Sequence, residues 1–317
     1  MWVTNSYTTG CLSVRVGENW YRYDFGPAIS ASTAVTELII TSSGHKWIVL
    51  PRDNKILVFD DNGTPTDPRD DPTGVILSSE KGFGDLPGII GLTMEQDLDD
   101  QIWIGSSDGV AVFYNPDNVF VAGKRDAQRV LIEGGENVEV LLAGTIIRDI
   151  EVDGANRKWI ATEGSGVYLL SPDGTEEIQH FTEENSPLFS NTVFSVAIDE
   201  NTGEVYFGTG NGIISYRGTA VKGKENFSNV NIFPNPVRET YSGPIAISGL
   251  MDNTLVKITD INGSLVYELK SEGGTAIWDG NNMNGERAKT GVYLLFNSAE
   301  NEGKDLKTHI GKILFIN

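Results

Sequence analysis

The sequence predicts an all-β protein: a β-propeller of about four to five blades followed by an immunoglobulin-like β-sandwich. Three observations predict it. An aromatic residue recurs at Trp2, Trp47, Trp103, Trp159 and Tyr206, at spacings of 45, 56, 56 and 47 residues. The last 89 residues instead carry seven short alternating apolar runs. With 36 Gly and 12 Pro among 317 residues and few helix-period segments, the composition favours short strands and tight turns.

Each recurring aromatic sits in a strand-like triplet, such as Lys46-Trp47-Ile48, Ile102-Trp103-Ile104, Lys158-Trp159-Ile160 and Val205-Tyr206-Phe207. Before the last four aromatics lies an alternating run, Leu38/Ile40, Leu92/Met94, Ile150/Val152 and Val196/Ile198, closed by a polar turn. After three of them come a glycine turn and a further run, beginning at Gly109, Gly166 and Gly212. Period-two alternation between turns means strands, and three or four strands per ~45 residues is the pattern of propeller blades. The aromatic is expected to fill the space between neighbouring blades, and each glycine to serve a hairpin turn needing positive φ. The extra length of the two 56-residue units falls in the loop 60–72 and in 116–140, which ends in a hairpin-like stretch.

The pattern Trp-Ile-Gly/Ala-Ser/Thr-x-x-Gly-Val, carried by Trp103–Val110 and with one extra residue by Trp159–Val167, resembles the repeats of the two-component-regulator propeller family. The first copy starts at its Trp strand, without the strand that should precede it. The expectation is therefore an incomplete propeller, with further blades and a signal peptide upstream of Met1.

A polar stretch, 219–228, reads as a linker between the propeller, 1–218, and the sandwich, 229–317. Seven strands in such a length suit an immunoglobulin-like sandwich. Pro234-Asn235-Pro236 cannot join a central strand and marks a stiff opening. Asp260-Ile261-Asn262-Gly263 reads as a hairpin turn. Gly291-Val292-Tyr293 and Gly311-Lys312…Ile316 lie on the last two strands, where Tyr293 is expected to pack its ring and hydrogen-bond its hydroxyl. In this order and abutting the C-terminus, these motifs resemble the C-terminal sorting domain of type IX secretion cargo. That domain has a Pro-x-Pro opening, a Gly-x-x-Tyr-like segment and a Lys-x-x-x-(Val/Ile) ending. Pro234/Pro236, Gly291/Tyr293 and Lys312/Ile316 match it, the middle pair with a single residue between.

The search for chemistry leaves no catalytic residue and no cofactor. The three histidines, His45, His180 and His309, are far apart with no metal-ligand spacing. Gly105-Ser106-Ser107-Asp108-Gly109 matches the hydrolase serine expression but lies between two predicted strands, where the required strand-to-helix elbow is absent. The acidic loop with Asp60, Asp61, Asn62, Gly63, Asp67, Asp70 and Asp71 could gather oxygen ligands for Ca²⁺ yet lacks the spacing of a calcium loop, so no metal is assigned. Asp279, Asn281, Asn282 and Asn284 are explained as turn formers. Cys11 is the sole cysteine, so there is no internal disulfide. Twenty-four Lys and Arg against 44 Asp and Glu give a net charge of −20, which argues against nucleic acid and anionic lipid surfaces. No apolar stretch reaches the ~18 residues of a membrane span.

Propeller followed by sorting domain resembles the PorZ-like family of the type IX secretion attachment complex. The resemblance implies a non-enzymatic protein on the outer surface of a Gram-negative cell. Its implied partners are translocon and sortase-complex proteins, and its implied role is to help deliver anionic lipopolysaccharide to sorted cargo. The alternative is a secreted glycan-binding protein or carbohydrate-active enzyme that uses the same domain for export.

Overall fold

The structure, a computed structural model, describes residues 1–25, 29, 33–67, 74–88, 93–134, 137–300 and 305–316. Asp70, Asp71, Leu92 and Asn317 therefore lie outside the described residues. Two compact units are found: 1–152 with 157–197 and 207–214, and 153–156 with 198–206 and 215–317. Among the described residues there is no α-helix, and no helix is long and apolar enough to cross a membrane.

Five successive antiparallel sheets form the propeller blades. The first contains β1 (Trp2–Thr4), β2 (Leu12–Val16) and β3 (Asn19–Tyr23). The second contains β4 (Leu38–Ile40), β5 (Lys46–Leu50), β6 (Lys55–Phe59) and β7 (Val75–Leu77). The third contains β8 (Thr93–Gln96), β9 (Ile102–Ser106), β10 (Gly109–Phe113) and β11 (Gln128–Arg129), and a separate hairpin follows, β12 (Leu131–Gly134) with β13 (Asn137–Val140). The fourth contains β14 (Ile147–Val152), β15 (Lys158–Thr162), β16 (Val167–Leu170) and β17 (Glu177–Phe181). The fifth, β18 (Val193–Asp199), β19 (Glu204–Thr209) and β20 (Gly212–Arg217), is shared between the two units.

Strands β5, β9, β10 and β15 are buried at every position, as strands covered on both faces must be. Their largely apolar sequences follow from that, and the repeat tryptophans Trp47, Trp103 and Trp159 are fully buried there. The β9–β10 turn depends on Gly109, at φ +78°, because a Cβ would lie 2.6 Å from the Leu142 carbonyl oxygen. A hydroxyl closes the same turn in three blades. Ser106, Thr162 and Thr209 donate to the carbonyls of Gly109, Gly166 and Gly212 at 3.3, 2.8 and 2.9 Å.

The sandwich packs a three-stranded sheet, β21 (Asn231–Phe233), β23 (Ile245–Ser248) and β26 (Thr275–Trp278), on a five-stranded one in the order β22-β28-β27-β24-β25. The latter contains β22 (Val237–Arg238), β24 (Leu255–Thr259), β25 (Leu265–Lys270), β27 (Gly291–Glu300) and β28 (Leu306–Ile316). Inward positions alternate as Val256/Ile258, Tyr293/Leu295 and Ile313/Phe315, facing Ile245, Ile247 and Trp278. The two-residue β22 has no counterpart in the alternation pattern; it pairs in parallel with the end of β28.

Candidate functional site

The sorting-motif residues converge on β28. Strand β27 pairs along its whole length, with Gly291 opposite Phe315, Tyr293 opposite Ile313 and Leu294 opposite Lys312. On the other side β22 reaches only Phe315 and Ile316. Asn235 takes over where that strand cannot. Its side-chain NH₂ donates to the Lys312 carbonyl at 2.8 Å, and its side-chain oxygen accepts from the Leu314 amide at 3.1 Å. The carboxamide thus stands in for a peptide group and covers two edge positions of β28. Pro234 and Pro236 flank it and, without N–H groups, leave no stranded donor.

Tyr293 is buried against Phe315 and Trp278, at ring-centroid distances of 5.4 and 6.3 Å, and its hydroxyl donates to the Lys289 carbonyl at 2.8 Å. Burial raises its phenol above the ordinary tyrosine range. Gly311 is buried with a hypothetical Cβ 2.9 Å from Ile232 Cδ1, so a larger residue there would have to move the Ile232 side chain. Lys312 and Ile316 point the other way and are exposed. They belong to an outer face on which Val292 and Phe296 of β27 and Ile310, Leu314 and Ile316 of β28 stand exposed beside half-buried Leu294.

In the propeller, Trp2 is half-buried and lies on an edge strand, β1. Tyr206 is 40 % exposed, whereas Phe207 turns inward onto Trp159 and Phe181, with centroids at 5.7 and 6.1 Å. Beside the tryptophans are residues that sequence reasoning missed. Lys158 is buried with its Nζ 2.9 Å from Asp97 Oδ2, while Asp97 Oδ2 also accepts from Trp103 Nε1 at 2.9 Å. Lys46 is likewise buried, 2.7 Å from Asp61 and over the Trp2 ring. Lys-Trp dipeptides at 46–47 and 158–159 were the available signal.

The remaining candidates have structural partners. Ser107 of the Gly-x-Ser-x-Gly match sits in the turn between β9 and β10. Asp60 accepts from the Asn62 amide, and Asp61 from Gly63 and Lys46. Asp279 and Asn282 accept amides within their own turns. His45 contacts Asp117 at 3.1 Å, His180 stacks on Tyr168, and His309 meets Asn297 at 3.1 Å. Among the described residues, no three His, Cys, Asp or Glu converge to hold a metal. Burial pushes the Cys11 thiol up to about 11, which makes it unreactive.

A model described as "secretion system C-terminal sorting domain" matches residues 231–310. Among solved structures, PorZ of Porphyromonas gingivalis, an essential bacterial surface component of the type IX secretion system, is similar over 100 % of this chain at 28 % identity and a TM-score of 0.62. This chain spans only 43 % of that PorZ chain. Looser likeness exists to the extracellular domain of a putative hybrid two-component system of B. thetaiotaomicron, at 14 % identity and a TM-score of 0.45, covering 100 % of this chain and 54 % of that one. Virginiamycin B lyase of Staphylococcus aureus is similar at 13 % and 0.41, covering 99 % and 91 %. No sequence among curated proteins matches. Residues 231–310 match the secretion system C-terminal sorting domain, in a propeller chain similar along its whole length to the type IX secretion component PorZ.

Proposed function

We propose that the protein is a non-catalytic part of the type IX secretion attachment machinery, held on the outer surface of a Gram-negative cell. It works beside translocon and sortase-complex proteins and helps deliver anionic lipopolysaccharide to sorted cargo. The observation that supports this reading is the braced C-terminal strand, β28, at the end of a chain that resembles PorZ from its first residue to its last. The outer apolar face of β27 and β28 and the open edge of β28 before Gly311 are the surfaces a translocon would read, by side-chain contact and by strand addition.

Deleting 312–317 tests the reading. The truncated protein is expected to stay in the periplasm, and other cargo is then expected to lose its surface anchoring. Surface display of the truncated protein would overturn the sorting role. Retention with normal anchoring of other cargo would make the domain the export signal of ordinary cargo. Because the deletion also strips Ile313 and Phe315 from the core, a Lys312→Glu variant, changed only at an exposed position, separates recognition from folding.

A further inference from the structure

Within the first compact unit, three loops line an open cavity of about 550 Å³, inside the range of small-ligand sites. The β4–β5 turn, the β8–β9 turn and the segment after β10 supply the walls. Gln96, Asp99, Asp100, Tyr114, Asn115 and Asn118 offer the chemistry. Nothing in the sorting reading uses them.

The lining mixes donors with acceptors. The carboxylates of Asp99 and Asp100 only accept, whereas the carboxamides of Asn115 and Asn118 do both. Among the described residues, neither carboxamide nor the Tyr114 hydroxyl makes a hydrogen bond, while the Tyr114 ring is exposed. No lysine or arginine among the described residues lines the cavity, which disfavours an anionic ligand. A cation alone would leave the amide donors idle. A sugar meets every feature, because each ring hydroxyl donates and accepts and the C–H face of a pyranose can lie on the tyrosine ring.

The loops are also braced. Gln96 accepts from the Ser42 amide at 3.1 Å and donates to Asp100 at 3.2 Å. Ser43 donates to Asp117 at 3.0 Å, and Asp117 pairs with His45 at 3.1 Å. Little ordering is left for a ligand to impose. We propose that this cavity binds a neutral saccharide presenting vicinal hydroxyls to Asp99, Asn115 and Asn118, with its ring on Tyr114.

The test uses the whole chain and saturation-transfer NMR with methyl glycosides of glucose, galactose, mannose and N-acetylglucosamine. Glucuronic acid and N-acetyl-arginine amide serve as charged probes. At least one neutral glycoside is expected to bind with a Kd of roughly 0.1–5 mM, unchanged between low and high salt because no net charge is paired. Tyr114→Ala and Asn118→Ala are each expected to weaken binding about tenfold or more, with an unchanged melting temperature showing that the fold is intact. No binding of any neutral glycoside at 20-fold above that range would overturn the proposal. So would binding indifferent to both substitutions, or a tighter, salt-sensitive preference for either charged probe. Cargo sorting plays no part in the readout, so this site stands or falls apart from the attachment role.

Discussion

Lys158 shows how much of the propeller rests on a residue that composition files under surface. Its ammonium is buried, 2.9 Å from Asp97, hydrogen-bonded to the Pro172 carbonyl and 4.9 Å from the Trp103 ring centroid. Removing one partner of such a pair leaves an uncompensated buried charge, at a cost of about 3–5 kcal/mol. Lys158→Ala is therefore expected to lower the melting temperature of the propeller by roughly 6–15 °C, and a drop under 2 °C in calorimetry would refute that weight. The blade of Trp47 lacks this indole acceptor. Thr41 occupies the place of Asp97: its hydroxyl accepts from the His45 amide at 3.0 Å as Asp97 accepts from Gln101 at 2.9 Å. It has no second oxygen for the indole, and among the described residues Trp47 Nε1 is buried without a partner. The tryptophans were legible from their spacing. The lysines were not, because strand alternation cannot reveal that an aspartate 61 residues upstream waits in the interior.

The first strand of each complete blade leaves one edge unpaired. Carboxylates bridge those edges. Glu37 accepts from the Met94 amide of β8, and Asp149 from the Val196 amide of β18 at 2.9 Å. The cost is crowding: burial, then neighbouring acids, push Glu37 up to about 7 and Glu95 up to about 8, with Asp149 and Glu151 close by. A folded-state value above the ordinary one means that the native state holds its proton longer than the unfolded chain. Stability is thus full below about 4.5 and is lost as pH rises towards 8. The propeller is expected to melt roughly 5–10 °C higher at pH 5 than at pH 8.5, with Glu95→Gln flattening the profile; equal melting temperatures in the parent protein would contradict it. Hairpins were readable from turn glycines and alternation, and the strand at Thr275–Trp278 came out at its observed bounds. β22 was not readable, because two residues beside a proline carry no period.

At the scale of the molecule, the segment 219–228 is more than a spacer. Within the second compact unit Val221 bridges to Gly273, the Lys224 amide donates to Leu250, and Phe227 packs on the sandwich core. A fragment of 219–317 is therefore expected to be more stable than 229–317 by on the order of 1–2 kcal/mol, read as a shift in urea midpoint. Equal midpoints would restore a plain linker. The sorting motif was legible because its prolines, glycines and terminal lysine are fixed in order. Its mechanical core was not, because Asn235 and Lys312 meet across 77 residues.

That meeting has a chemical lifetime. Loss of the Asn235 carboxamide to a carboxylate would swap its donor for a second acceptor, aimed at the Lys312 carbonyl. Asparagine usually ages by attack of the following backbone nitrogen on its side chain, but here that nitrogen belongs to Pro236, which has no proton to give up. The edge of β28 is thus held by an amide shielded from deamidation by its own neighbour. Pro236→Gly should let the intact chain gain about 1 Da at this residue during warm, alkaline storage, which peptide mass mapping would detect, while the parent protein keeps its amide.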